Sequence, residues 1–166
     1  MDGKVICDFE DYPYSAGNGM SGDCYSVVSN SGVDNSKALE YSTKPGITNW
    51  WNTRTAGIAI GHSRYTLEEN KLYKVSFEYF VPAKPDATVN VGIWAGNKTK
   101  ITDLSNALQQ NVSETLIING DTPIGQWLTY TASFTAKTYN PANANLNALA
   151  IGFVTGEKIS ENATVY

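Results

Sequence analysis

The strongest constraint in this sequence is a two-residue alternation that recurs along the chain and never gives way to a sustained helical period. In LYKVSFEYF, residues 72–80, Tyr73, Val75, Phe77 and Tyr79 share one face, and Lys74, Ser76, Glu78 and Phe80 share the other. In VNVGIWAGN, residues 89–97, Val89, Val91, Ile93 and Ala95 form an apolar face opposite Asn90, Gly92, Trp94 and Gly96. KVICDFED, CYSVVSNSG, KALEYST, AGIAIGHS, ETLIIN, GQWLTYTASFTA, LNALAIGFVTG and ATVY are similar short runs, punctuated by Gly, Asn, Pro and Asp. About eight to eleven strands without long helices predict an all-β chain, an antiparallel β-sandwich of jelly-roll type. DLSNALQQ, Asp103 to Gln110, is the one candidate for a short helix, capped by Asp103, and is expected to lie in a loop.

With 166 residues the chain is expected to form one domain, residues 1–166, excised from a larger protein. MDGKVICDFED has no apolar segment of signal-peptide type, and no run approaches the roughly 20 residues of a membrane span. The net charge of -4, with no Lys or Arg cluster, argues against nucleic acid held through phosphates. Charged residues make up only 17%, while Asn, Thr, Ser and Gly are abundant beside 10 Tyr and 4 Trp. Neutral hydrogen-bonding groups and amphipathic rings suit a hydroxyl-rich ligand. Cys7 and Cys24 form a disulfide if their strands are adjacent, and otherwise remain two buried thiols.

Trp94 is the most informative single residue, because it interrupts the polar face of an otherwise regular strand. Leu149, Ile151 and Phe153 face inward on the following strand pattern, leaving the small residues Ala148, Ala150 and Gly152 outside. Small residues beside a Trp leave room for a ligand lying flat on the sheet. Trp50 and Trp51 cannot both enter one core from a regular strand. Counting back from Ile58 and Ile60 makes Trp50 the anchor and Trp51 the exposed platform; a bulge near Gly57 reverses this, and a loop at 48–52 exposes both. Glu78, expected on the same side as Trp94, together with Asn90, Asn52 and Arg54, supplies hydrogen-bonding partners. Trp127 reads as a packing ring at a strand start, and His62, the single histidine, as a half-buried continuation of the Ile58–Ile60 face.

The order of DFED, GVDNSKALEY, YTLEENKLYKVSFEYFVP, GQWLTYTASFTA, ALAIGFV and ATVY resembles that of the β-jelly-roll carbohydrate-binding modules appended to bacterial xylanases and cellulases. The resemblance spans nearly the whole chain through individually weak motifs. It implies a non-catalytic, secreted bacterial module that binds a plant cell-wall β-glycan such as a β-glucan, xyloglucan, xylan or mannan. Binding would rest on aromatic stacking by Trp94, Trp51 and Trp50, in a monomer that targets an attached enzyme to its substrate. It also implies that no cofactor is required, with a structural calcium at Glu10 and at backbone carbonyls near Asn35 to Lys37. The family's final-strand Asp would follow ATVY, so Asp8, Asp11 or Asp23 would have to compensate.

Catalysis fits the sequence poorly. A sandwich glycosidase needs two carboxylates about 5–10 Å apart across the scissile bond. The adjacent acids, Glu10/Asp11 and Glu68/Glu69, fall in expected turns, and neither a nucleophile elbow nor a histidine pair is present. An adhesion or spacer module contacting a protein is the alternative, distinguished by a flat, mixed apolar patch in place of exposed coplanar rings.

Overall fold

A computed structural model of the chain describes residues 9–10, 15–16, 19–20, 24–43, 57–60, 68, 70–96, 108–111, 115–135, 148–154 and 163–166. For 15–16, 19–20, 57–60, 93–96, 108–111 and 148–154 it describes the backbone alone. The chain is an antiparallel β-sandwich. The described residues contain twelve strands: β1 (Ser15–Ala16), β2 (Gly19–Met20), β3 (Tyr25–Val28), β4 (Ala38–Ser42), β5 (Gly57–Ile60), β6 (Leu72–Phe80), β7 (Val89–Gly96), β8 (Leu108–Asn111), β9 (Leu116–Ile118), β10 (Trp127–Thr135), β11 (Ala148–Val154) and β12 (Thr164–Val165). The alternating runs that fall in the described residues became strands, whereas KVICDFED lies largely outside them and its described Phe9 and Glu10 form a bend. Two short strands, β1 and β2, were not anticipated inside the turn-rich YPYSAGNGMSGD, and they form the one parallel pairing among the described residues. The expectation of a helix or loop at 103–110 is corrected at its end, where Leu108–Gln110 belong to β8. There the backbone donors and acceptors of β7 take up the segment.

One sheet runs β1-β2-β5-β11-β7, with β8 and β9 sharing the far edge of β7. β8 pairs with the end of β7 from Trp94 and β9 with its start from Val89. The second sheet comprises β3, β4 and β12 on one side, and β6 and β10 on the other. Phe80 and Tyr166 join these parts by exchanging two backbone bonds, each 2.9 Å, as an antiparallel hydrogen-bonded pair does. The resulting order is β3-β4-β12-β6-β10.

Alternation then decides what is buried. On β6 and β10, Tyr79 faces Leu128, Phe77 faces Tyr130, Val75 faces Ala132 and Tyr73 faces Phe134. All lie on the inner side, with Val75, Tyr79, Ala132 and Phe134 buried. Tyr41, Leu39 and Val165 continue this layer, while Val89, Val91 and Ile118 enter the same cluster from the other sheet. Tyr25 and Tyr41 rings meet at 5.2 Å, and Tyr73 stacks on Phe134 at 5.8 Å. Such ring pairs add to area burial when offset or tilted. The buried Thr43 is satisfied by Ala163: its hydroxyl accepts the Ala163 N–H at 2.8 Å, and its own N–H donates to the Ala163 carbonyl at 3.0 Å. Cys24 is buried beside β3, and Cys7 lies outside the described residues, as does His62.

Candidate ligand-binding face

The candidate face begins with two buried valines. Val89 and Val91 are both inaccessible, so the intervening Asn90 and the next even position, Gly92, belong to the outer side of β7. The β7–β11 register runs unbroken from Asn90↔Val154 to Gly96↔Ala148, which carries the alternation to Trp94. By this register Trp94 occupies an outer-face position of the sheet. Ile58 and Ile60 pair with Ile151 and Leu149, which places all four on the inner side.

Directly paired residues share a face, so the register lays out the surroundings of Trp94. One row crosses four strands: Ala59 on β5, Ala150 on β11, Trp94 on β7 and Asn111 on β8. A second row is Gly57, Gly152 and Gly92. A third is Val154, Asn90 and Ile117. Strands are about 4.8 Å apart and alternate residues about 6.8 Å along, so the three rows define a patch roughly 14 Å on each side. By register, one Trp position is neighboured by Gly and Ala positions and bordered by two Asn positions. Asn90 is half-buried and Gly92 is buried, consistent with the base of a depression, while Ile117 is exposed at its rim. No charged residue falls in the three rows.

Glu78 is a correction. It lies on β6, in the opposite sheet, paired with Thr129 on the exposed side. Trp94 and Glu78 face away from the core on opposite sides of the sandwich. The alternation within each strand was read correctly; assigning the two strands to different sheets required long-range pairing. Trp50, Trp51, Asn52 and Arg54 lie outside the described residues. Ala59, Asn111 and Ile117 were missed, because strand register across the sheet leaves no local signal.

Trp127 opens β10 on the outer face of the Glu78 sheet, half-buried, with its ring 5.5 Å from Phe80. Phe80 lies in turn 6.4 Å from Tyr166. The rings are inclined by 45° and 47°, so they pack on one another instead of presenting a common plane. Burial raises the Tyr166 hydroxyl above its ordinary range, reinforced by its hydrogen bond to the Glu40 carboxylate. Burial alone does the same for Tyr79.

Glu10 meets Lys37. Its Oε1 accepts the Lys37 N–H at 2.6 Å, its backbone carbonyl accepts the ammonium at 3.0 Å, and Oε2 lies 3.8 Å from that ammonium. A calcium ion wants about six to eight oxygens, several of them carboxylate. Among the described residues no three His, Cys, Asp or Glu come together, so these residues do not supply that set. Asp8, Asp11 and Asp23 lie outside the described residues. Glu68, exposed, is ion-paired with Lys71 at 3.2 Å across one turn.

No family model matches the chain, and no curated protein does. Among solved structures, the chain is similar to the CBM22-1–GH10 modules of Clostridium thermocellum endo-1,4-β-D-xylanase 10B complexed with xylohexaose. That match has 12% identity and a TM-score of 0.47, covering 85% of this chain and 23% of the xylanase chain. A second match, described as CBM4 structure and function, has 19% identity and a TM-score of 0.44, covering 89% of this chain and 72% of the other. The chain thus resembles structures that contain carbohydrate-binding modules, and it spans about a quarter of the first.

Proposed function

We propose that the protein is a non-catalytic, secreted bacterial carbohydrate-binding module of jelly-roll type, which holds an attached enzyme at a plant cell-wall β-glucan or hemicellulose. The observation that carries this reading is the register around Trp94: one aromatic ring beside rows of Ala and Gly, with Asn90 and Asn111 at the border. The C–H face of a pyranose lies on the ring and buries apolar area at about 25 cal/mol per Å². The two amides accept and donate to sugar hydroxyls, each bond contributing a net of about 0.5–1.5 kcal/mol. Small contributions of this kind favour a chain contacted over several sugar units. Trp51, Trp50, Asn52 and Arg54, which precede β5 in sequence, are further candidates for contact with the sugar chain in this reading. Among the described residues, the exposed large apolar side chains Leu72, Ile117 and Ile124 belong to three separate segments.

Affinity electrophoresis against xylan, xyloglucan, mixed-linkage glucan, mannan and a soluble cellulose tests the proposal. Retardation on at least one gel is expected, and migration unchanged on all of them overturns the function. Trp94→Ala is expected to abolish the retardation while leaving the melting temperature unchanged. If this variant is retarded like the parent, the site lies elsewhere.

A further inference from the structure

At one end of the Trp94 face, Ile117 on β9 and Asn90 on β7 are directly opposed and share the outer side of the sheet. Ile117 is 55% exposed, whereas its neighbour Ile118 is inaccessible. A single exposed isoleucine is ordinary on a protein surface. This one stands apart because the residue facing it is a half-buried asparagine whose side-chain amide has no hydrogen-bond partner among the described residues. Polar groups withdrawn from water are generally paired, so such an amide is available to a ligand.

The pair is held on fixed backbone. Ile118 anchors β9 in the core, and the turn that follows is closed by three hydrogen bonds. The Asn119 N–H donates to the Thr122 hydroxyl at 2.9 Å, and the Thr122 N–H donates to the Asn119 carbonyl at 3.1 Å. The Asp121 N–H donates to the Asn119 side-chain carbonyl at 2.9 Å, an Asx turn. Burying Ile117 by rolling β9 would break these bonds and lift Ile118 out of the core.

Directly opposed residues have Cβ atoms about 4.5–5.5 Å apart. A branched apolar side chain and an amide at that spacing match a ligand group that is methyl at one end and carbonyl at the other. An O-acetyl ester on a sugar hydroxyl is such a group: the amide N–H donates to the ester carbonyl, and the isoleucine covers the methyl. A uronate carboxylate fits less well, since no charged residue falls in the rows of the patch. A methyl ether lacks the carbonyl. Asn90 stands about 14 Å along β7 from Trp94, so a chain stacked at Trp94 reaches the pair with a substituent on a sugar farther along.

We propose that Ile117 and Asn90 form a subsite for the O-acetyl ester of an acetylated hemicellulose. The proposal rests on glycan binding at the Trp94 face and adds the substrate class: a chain bearing acetyl esters in preference to the bare one.

Calorimetric titration of the full chain tests it with O-acetylated xylan and O-acetylated glucomannan, each beside the same polymer after saponification, in a weakly acidic buffer that preserves the ester. Burying one methyl group contributes about 0.8 kcal/mol, or about fourfold in affinity. At least one acetylated polymer is therefore expected to bind about fourfold more tightly than its saponified form, or better. Ile117→Thr keeps the β-branched shape but replaces an apolar end with a hydroxyl, and is expected to bring this ratio close to one. Ile117→Val is expected to keep a clear preference. Equal or weaker binding of the acetylated member in both pairs overturns the proposal, as does a ratio that Ile117→Thr leaves at the parent value. Binding to an unsubstituted β-glucan but to neither acetylated polymer also overturns it, and leaves the Trp94 reading standing. No binding to any polymer overturns both.

Discussion

Ile117 and Ile118 are chemically identical neighbours in a three-residue strand, and their fates on replacement by alanine are expected to diverge. Ile118 is wholly inaccessible and faces Val89 across the β7–β9 ladder; Ile117 is 55% exposed and faces Asn90. Ile→Ala deletes three carbons, which at about 0.8 kcal/mol each is roughly 2.4 kcal/mol of transfer free energy. The residual cavity adds about 24 cal/mol per Å³, bringing the expected cost for Ile118→Ala to about 3–4 kcal/mol. At about 2–4 °C per kcal/mol for a chain of this size, the melting temperature falls by roughly 6–16 °C. Ile117→Ala removes atoms that are already half in water, and is expected to cost less than about 1 kcal/mol. Urea unfolding followed by tryptophan fluorescence gives both values, with an unchanged m-value as the check that only stability moved. Comparable losses at the two sites, or a larger one at Ile117, would refute the register of β9. Because Asn90 is opposite Ile117, that result would also undo the rows that surround Trp94.

Four further outcomes are expected. Tyr79 and Tyr166 have hydroxyls whose folded-state pKa is raised, so their contribution to stability is complete below the ordinary value of 10.0 and is lost as pH rises beyond it. Urea midpoints measured from pH 8 to 11 should therefore fall only above about pH 10, and Tyr166→Phe should flatten part of that fall. EDTA should leave the melting temperature unchanged, because the Lys37 amide and ammonium already engage Glu10; a drop on chelation, restored by calcium, shows a cation bound in the protein. Gly125→Ala should cost about 1–2 kcal/mol in chemical denaturation, since φ is +72° and the new Cβ meets nothing within 4 Å, leaving backbone strain alone. Gly32→Ala should cost more than Gly125→Ala, because its Cβ would stand 2.7 Å from the Lys37 carbonyl and against the Ser36 hydroxyl.

The legible part of this protein was local. Tyr73, Val75, Phe77 and Tyr79 could be assigned to one side of β6 because side chains on a strand alternate whatever the strand pairs with. The same holds for Val89 and Val91, and through them for Trp94. The β8 segment was illegible for the complementary reason: LQQ has weak strand propensity, and its conformation comes from the backbone groups that β7 offers at Trp94 and Ala95.

Glu78 marks the boundary between the two kinds of information. Its outward orientation was determined by its neighbours in sequence, since Phe77 and Tyr79 must enter the core. Which outward side it occupies depended on β6 pairing with β10 and β7 pairing with β11, contacts between residues 47 to 64 positions apart. Composition and period alone thus determined an all-β chain and the inward or outward sense of each strand residue. Only the tertiary structure decided that Ala59, Ala150, Trp94 and Asn111 share one row. Register is set by cooperative pairing and packing across the sheet, and no single strand carries it.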